Sequence, residues 1–203
     1  KGPHGTTSEE NAVRIVAFGD SLVAGYGLDR EASFPARLER YLRDRGCPVT
    51  VINAGVSGDT TAGGRARIDW ALEDEPDLVI VELGANDALR GLDPARMEDN
   101  LAAVIHSIRG SGAVVLLAGM HPPVNLGAEY SDRFRAVFPR LAQRYKVVLY
   151  PFFLEGVAGV PALNQPDGIH PNARGVEEIV KRIGPVVESM VRDIPGKGCP
   201  AEG

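Results

Sequence analysis

The chain has 203 residues, enough for one domain with a sizeable core. Hydrophobic residues make up 44% and charged residues 24%, the balance of an ordinary globular protein. With 22 Lys+Arg against 27 Asp+Glu, a net charge of −5 and no basic run, the composition argues against nucleic acid or an anionic membrane as the main partner.

Residues 1–11, opening on "KGPHGTTSEE", contain no apolar signal core and read as a flexible N-terminal segment, compatible with the start of a processed chain. The first strand pattern is "VRIVAF", Val13–Phe18. Phe34, Leu38, Tyr41 and Leu42 then fall on one helical face. "VTVIN" (Val49–Asn53) and "DLVIVEL" (Asp77–Leu83) are the second and third strand patterns. Asp93 can cap a helix whose first turn tolerates Pro94, with Met97, Leu101, Val104, Ile105 and Ile108 along its buried face. "AVVLLA" (Ala113–Ala118) and "KVVLY" (Lys146–Tyr150) complete five strands. In the last helix Val176, Ile179, Val180, Ile183, Val186, Val187 and Met190 recur at spacings of three and four, and Pro185 is placed to kink it. The longest apolar stretches, such as "AVVLLAGM", are too short to span a bilayer, so stable membrane insertion is not expected.

Continuous apolar strands separated by amphipathic helices predict an α/β fold, a five-stranded parallel sheet with helices on both faces. One domain is expected over 12–194, followed by a C-terminal tail at 195–203. In such sheets ligands bind beyond the carboxyl ends of the strands. The polar clusters of this chain fall there: "GDSL" (Gly19–Leu22), "NAGVSGDT" (Asn53–Thr60), "GAND" (Gly84–Asp87), "GMHPPVN" and "DGIHP" (Asp167–Pro171).

An aspartate three residues before a histidine can hold Nδ1 and leave Nε2 free as a base. Asp167 and His170 have that spacing, and Ser21 needs such a base because a free hydroxyl is a poor nucleophile. Acyl transfer also requires donors for the oxyanion: the backbone N–H groups of Ser21 and Gly58, and the Asn86 amide. Taken singly, each residue reads more simply as a turn or cap. Ser57 is a competing nucleophile of much lower weight. Asp20 and Asp87 are assigned to holding loop backbones. The lipase-type G-x-S-x-G elbow is absent.

Together the blocks resemble those of the SGNH (GDSL) hydrolase family, which are built around Ser, Gly, Asn and His. Here these are Ser21, Gly58, Asn86, and His170 with Asp167. The resemblance covers about Arg14 to Val191. "GDSLVAGYGL", "NAGVSGDTTAGG", "PDLVIVELGANDALRG" and "PFFLEGV" are most similar to the bacterial arylesterase, acyl-CoA thioesterase I and lysophospholipase branch. Ala85 stands where many relatives carry glycine. "PPVNLGAEY" is similar to the mobile loop that covers the acyl pocket in the thioesterase branch.

The resemblance implies a flavodoxin-like three-layer α/β/α fold and a serine hydrolase of carboxylic esters or thioesters. It implies Ser21 as nucleophile, His170 as base, Asp167 as its orienter, and no cofactor or metal. The expected partner is a small acyl or aryl ester. Leu89, Val124, Phe153 and Ile169 are candidates for the acyl pocket. A carbohydrate acetylesterase of the same family and a non-catalytic flavodoxin-like binding protein are the alternatives. A metal site gathering Asp20, Asp59, Asp87, Asp167 and His170 is a third reading without a compact motif. His121 reads as a solvated loop residue, His106 as structural or surface, and His4 as terminal. Trp70 and the Phe152–Phe153 pair have core character.

The two cysteines, Cys47 and Cys199, form no zinc pattern. They are either two thiols or a disulfide. In the expected topology both lie at the end of the sheet opposite the site, with the first and last helices on one face. Pairing there would tether the tail and suit a periplasmic or secreted location; a cytoplasmic one stays open.

Overall fold

The computed structural model describes residues 11–200; the segment 1–10, with His4, and 201–203 lie outside the described residues. Five strands, β1 (Val13–Gly19), β2 (Val49–Gly55), β3 (Leu78–Glu82), β4 (Val114–Ala118) and β5 (Val148–Tyr150), form one sheet in the order β2-β1-β3-β4-β5. Every neighbouring pair is parallel. β1 and β3 are central, and their side chains are buried on both faces apart from Arg14, which explains their unbroken apolar runs. This is the doubly wound order of the flavodoxin type.

The helices are α1 (Ser21–Ala24), α2 (Phe34–Asp44), α3 (Thr61–Ala71), α4 (Ala85–Leu89), α5 (Pro94–Gly110), α6 (Ala128–Tyr145) and α7 (Ala173–Arg192). α2 packs against α7, while α3 and α6 flank α5. Right-handed crossovers in this strand order put these two groups on opposite faces of the sheet. Gly184 lets α7 approach α2 closely, because a Cβ there would lie 2.5 Å from the Tyr41 ring. Asp93 caps α5 by accepting from the Ala95 N–H, with Pro94 in the first turn, as the sequence suggests. Pro185 lies inside α7, which runs on to Arg192.

Besides the short helices α1 and α4, two long helices escape the sequence reading. The buried face of α3 is Thr61, Gly64, Ile68 and Ala71, small residues that leave little apolar periodicity. α6 buries Phe134, Val137, Phe138 and Leu141 at helical spacing, but Pro139 interrupts the pattern in the sequence. Trp70, expected in the core, is 69% exposed on α3.

Cys47 and Cys199 are joined as a disulfide across 152 residues of sequence, with Cα atoms 4.1 Å apart. It fastens the segment after α7 to the start of β2. Lys197 Nζ adds a salt bridge of 3.2 Å to Asp77 beside β3. The bond closes a long loop, so the unfolded chain loses much of its freedom. Cys199→Ser is expected to cost about 2–4 kcal/mol in urea unfolding. Thiol titration of the unreduced, denatured protein should find no free cysteine; two titrating thiols would contradict the bond.

Candidate active site

The site is assembled at the carboxyl edge of the sheet. β1 ends at Gly19, and the chain turns through Asp20 into α1, whose first residue is Ser21. Asp20 caps this short helix: its Oδ1 accepts from the Leu22 N–H at 3.0 Å. The segments that carry Gly58 and Asn86 follow β2 and β3. Gly55 permits α1 to lie against β2, since a Cβ there would stand 2.3 Å from the Ala24 nitrogen.

The Ser21 hydroxyl lies 3.1 Å from His170 Nε2. His170 Nδ1 lies 2.6 Å from Asp167 Oδ2. Asp167 Oδ1 accepts from the backbone N–H groups of Ile169 (2.9 Å) and His170 (3.0 Å). The His170 N–H is the largest influence, followed by the bond to the imidazole and the Ile169 N–H; they hold the Asp167 carboxyl down at about 2. A depressed carboxylate stays charged at every pH above that value, so Asp167 is an anion wherever the imidazole works as a base. It can only accept from Nδ1–H, which leaves the Nε2 lone pair facing Ser21.

Among the described residues, the Ser21 and Gly58 N–H groups donate no turn or loop hydrogen bond. Gly58 is exposed and has φ +82°, a left-handed conformation that suits glycine. Asn86, in α4, donates one Nδ2 hydrogen to Asp59 O at 2.9 Å. That bond fixes the amide and leaves its second hydrogen for a ligand. Asp87, next to it, is buried and accepts from the Thr61 N–H (2.8 Å) and hydroxyl (2.6 Å), joining α4 to the start of α3. Among the described residues, no group of three or more His, Cys, Asp and Glu side chains is placed to hold a metal ion.

Three supporting residues have no signal in the sequence pattern. Arg67, on α3, bonds Asp59 Oδ2 (2.7 Å), Ala54 O (2.8 Å) and Gly19 O (2.8 Å), and lies over the Phe18 ring. It therefore ties the ends of β1 and β2 to the loop bearing Gly58. Gln165 Nε2 donates to Tyr26 O at 2.7 Å and Pro171 O at 2.9 Å, clamping the His170 loop to the Ser21 loop. The Tyr26 ring lies against the imidazole, with centroids 4.4 Å apart.

The pocket candidates divide. Leu89, Val124 and Ile169 are exposed, Val124 by 91%. Leu89 ends the helix that carries Asn86, Ile169 precedes His170, and Val124 lies in the short turn after β4. Phe153 does not belong with them. It is fully buried, edge-on to Phe34, because the chain after β5 turns it into the core. His121 is not a free loop side chain: it stacks on Phe152 with centroids 3.8 Å apart, and burial lowers its pKa. Ser57 is exposed, and the His170 imidazole is bonded to Ser21 instead.

A hydroxyl, an imidazole and a carboxylate in one chain of hydrogen bonds, beside spare N–H donors on an α/β/α fold, define a serine hydrolase. Residues 17–177 match the family model described as the GDSL-like lipase/acylhydrolase family, and the chain belongs to that family. It is 41% identical to Esterase TesA of Pseudomonas aeruginosa over 91% of this chain and 92% of that protein. It is 40% identical to thioesterase 1/protease 1/lysophospholipase L1 of Escherichia coli, over 78% of this chain and 75% of that one. Among solved structures it resembles AlinE4, an SGNH-hydrolase family esterase, at 49% identity and a TM-score of 0.75, covering 89% of this chain and 97% of that one.

Gln165→Ala should lower kcat about tenfold, the scale of two lost backbone clamps, while leaving KM within about twofold. Steady-state kinetics on a soluble ester checks this. An unchanged kcat would show that the His170 loop holds its position without the clamp.

Proposed function

We propose that the protein hydrolyses carboxylic esters and thioesters of acyl or aryl groups through an acyl-enzyme on Ser21. The observation that carries the reading is the continuous hydrogen-bonded series from Ser21 Oγ through His170 to Asp167. Esterase and thioesterase in the names of its relatives support the substrate class.

As Ser21 Oγ attacks the carbonyl carbon, His170 Nε2 takes the hydroxyl proton. The carbonyl π pair moves onto oxygen, and the Ser21 N–H, Gly58 N–H and Asn86 amide stabilise that charge. Asp167 stabilises the imidazolium and keeps its orientation. The tetrahedral intermediate collapses, His170 gives its proton to the leaving alcohol or thiol, and the acyl group remains on Ser21. Water then attacks with the same proton traffic, releasing the acid and restoring the hydroxyl.

The exposed side chains of Leu89, Ile169 and Tyr26 beside the site suit an acyl chain or aryl ring better than a sugar. No helix among the described residues is long and apolar enough to cross a membrane. A disulfide in a chain of this kind supports a periplasmic or secreted location.

Two substitutions test the reading on a short p-nitrophenyl ester. Ser21→Ala should remove essentially all turnover, and activity above a tenth of wild type would refute the nucleophile. Asn86→Ala should cost on the order of a hundredfold in kcat, with KM little changed.

A further inference from the structure

Beneath the nucleophile lie two carboxyl groups that the reaction does not use. Asp20 follows β1, and Glu82 ends β3, where Gly19 is its partner across the ladder. Asp20 is 1% exposed and Glu82 is completely buried. The Asp20 N–H is directed at Glu82 Oε1, at 3.4 Å. Asp20 Oδ1 is occupied by the Leu22 N–H. Among the described residues, Asp20 Oδ2 and Glu82 Oε2 are buried and receive no hydrogen bond.

Among the described residues no Lys or Arg forms a salt bridge with either carboxyl; Arg67, which bonds the Gly19 carbonyl next to Asp20, otherwise bonds Ala54 O and the Asp59 carboxylate. The other charged groups facing Asp20 are His170, which draws its pKa down, and Asp59, which pushes it up. Two adjacent buried carboxylates without a cation cannot both stay ionised. A single proton resolves the conflict, because an un-ionised carboxyl has a donor for its neighbour.

We propose that Glu82 remains un-ionised at neutral pH and donates its O–H to Asp20 Oδ2, making one shared charge that caps α1 and fixes the turn of Ser21. Burial, and next the Asp20 charge, hold the Glu82 carboxyl well above the usual carboxylate range. Burial also raises Asp20, but Asp20 Oδ1 has the closer N–H donor, Leu22 at 3.0 Å against 3.4 Å for the donor to Glu82, so the charge belongs on Asp20 and the proton on the completely buried Glu82. Glu82 is thus a positioning residue: it touches no reacting atom and acts through Asp20 on the nucleophile. Its kinetic effect rests on the reading of Ser21 as that nucleophile, but its proton does not.

Infrared difference spectroscopy in heavy water at neutral pH reads the proton directly, using wild type, Ser21→Ala and Glu82→Gln. An un-ionised carboxyl band is expected in wild type and in Ser21→Ala, and its loss is expected in Glu82→Gln. No band in wild type, or a band that survives Glu82→Gln, overturns the proposal. Failure of Ser21 as nucleophile would appear only in the activity of Ser21→Ala and would leave the band in place.

Kinetics supply the positional half. Gln keeps both an acceptor for the Asp20 N–H and a donor for Oδ2, so Glu82→Gln should keep kcat within about threefold. Glu82→Leu removes both and should lower kcat tenfold or more, with KM within about twofold. A Glu82→Gln enzyme that has lost tenfold or more in kcat contradicts the proposal. So does a folded Glu82→Leu enzyme as active as wild type.

Discussion

Everything at this site depends on the 3.1 Å contact between Ser21 and His170, groups separated by 149 residues of sequence. A hydroxyl and an imidazole held that far apart in the chain meet only if two loops are fixed to the same rigid frame. The parallel sheet supplies the frame, because all its strands end on one edge. β1 delivers Ser21 there directly. His170 arrives on a long loop after β5, the shortest strand, and needs more help. Its backbone is gathered by Asp167, the carbonyl of His170 accepts from the Gln165 N–H at 2.8 Å, and the Gln165 side chain reaches across to Tyr26 O.

The electrostatics are divided in a similar way. Asp167 is partly open to solvent and rich in N–H donors, so its charge is stable beside the imidazole. Asp20 and Glu82 are buried with few donors, so their charge is minimised. One environment keeps an anion beside the imidazole, and the other limits negative charge beneath Ser21. Arg67 neutralises Asp59 at 2.7 Å and at the same time fixes the loop that presents Gly58.

Much of this was legible in the sequence, for definite reasons. The central strands β1 and β3 are buried on both faces and show as unbroken apolar runs. Ser21, Gly58, Asn86 and the Asp167–His170 pair each stand just beyond a strand or on the loop that follows one, where a parallel sheet collects functional groups. The less legible parts are those set by contacts between distant segments. Arg67 and Gln165 look like ordinary polar residues of a helix and a loop until folding brings carbonyl groups to them. Glu82 looks like the polar end of a strand, and only its complete burial beside Asp20 makes its protonation state a question. Phe153 carries both a core and a pocket reading in the sequence, because an aromatic after the last strand can turn either to the mouth or to the core. Here Phe34 fixes it in the core.

The central claim is that Ser21 is the group that becomes acylated. The most direct measurement is to inactivate the protein with a fluorophosphonate and locate the adduct by peptide mass spectrometry. One adduct is expected, on the peptide "GDSLVAGYG", at Ser21, and none in His170→Ala over the same exposure. An adduct on Ser57 or another hydroxyl, or full labelling without His170, would contradict it.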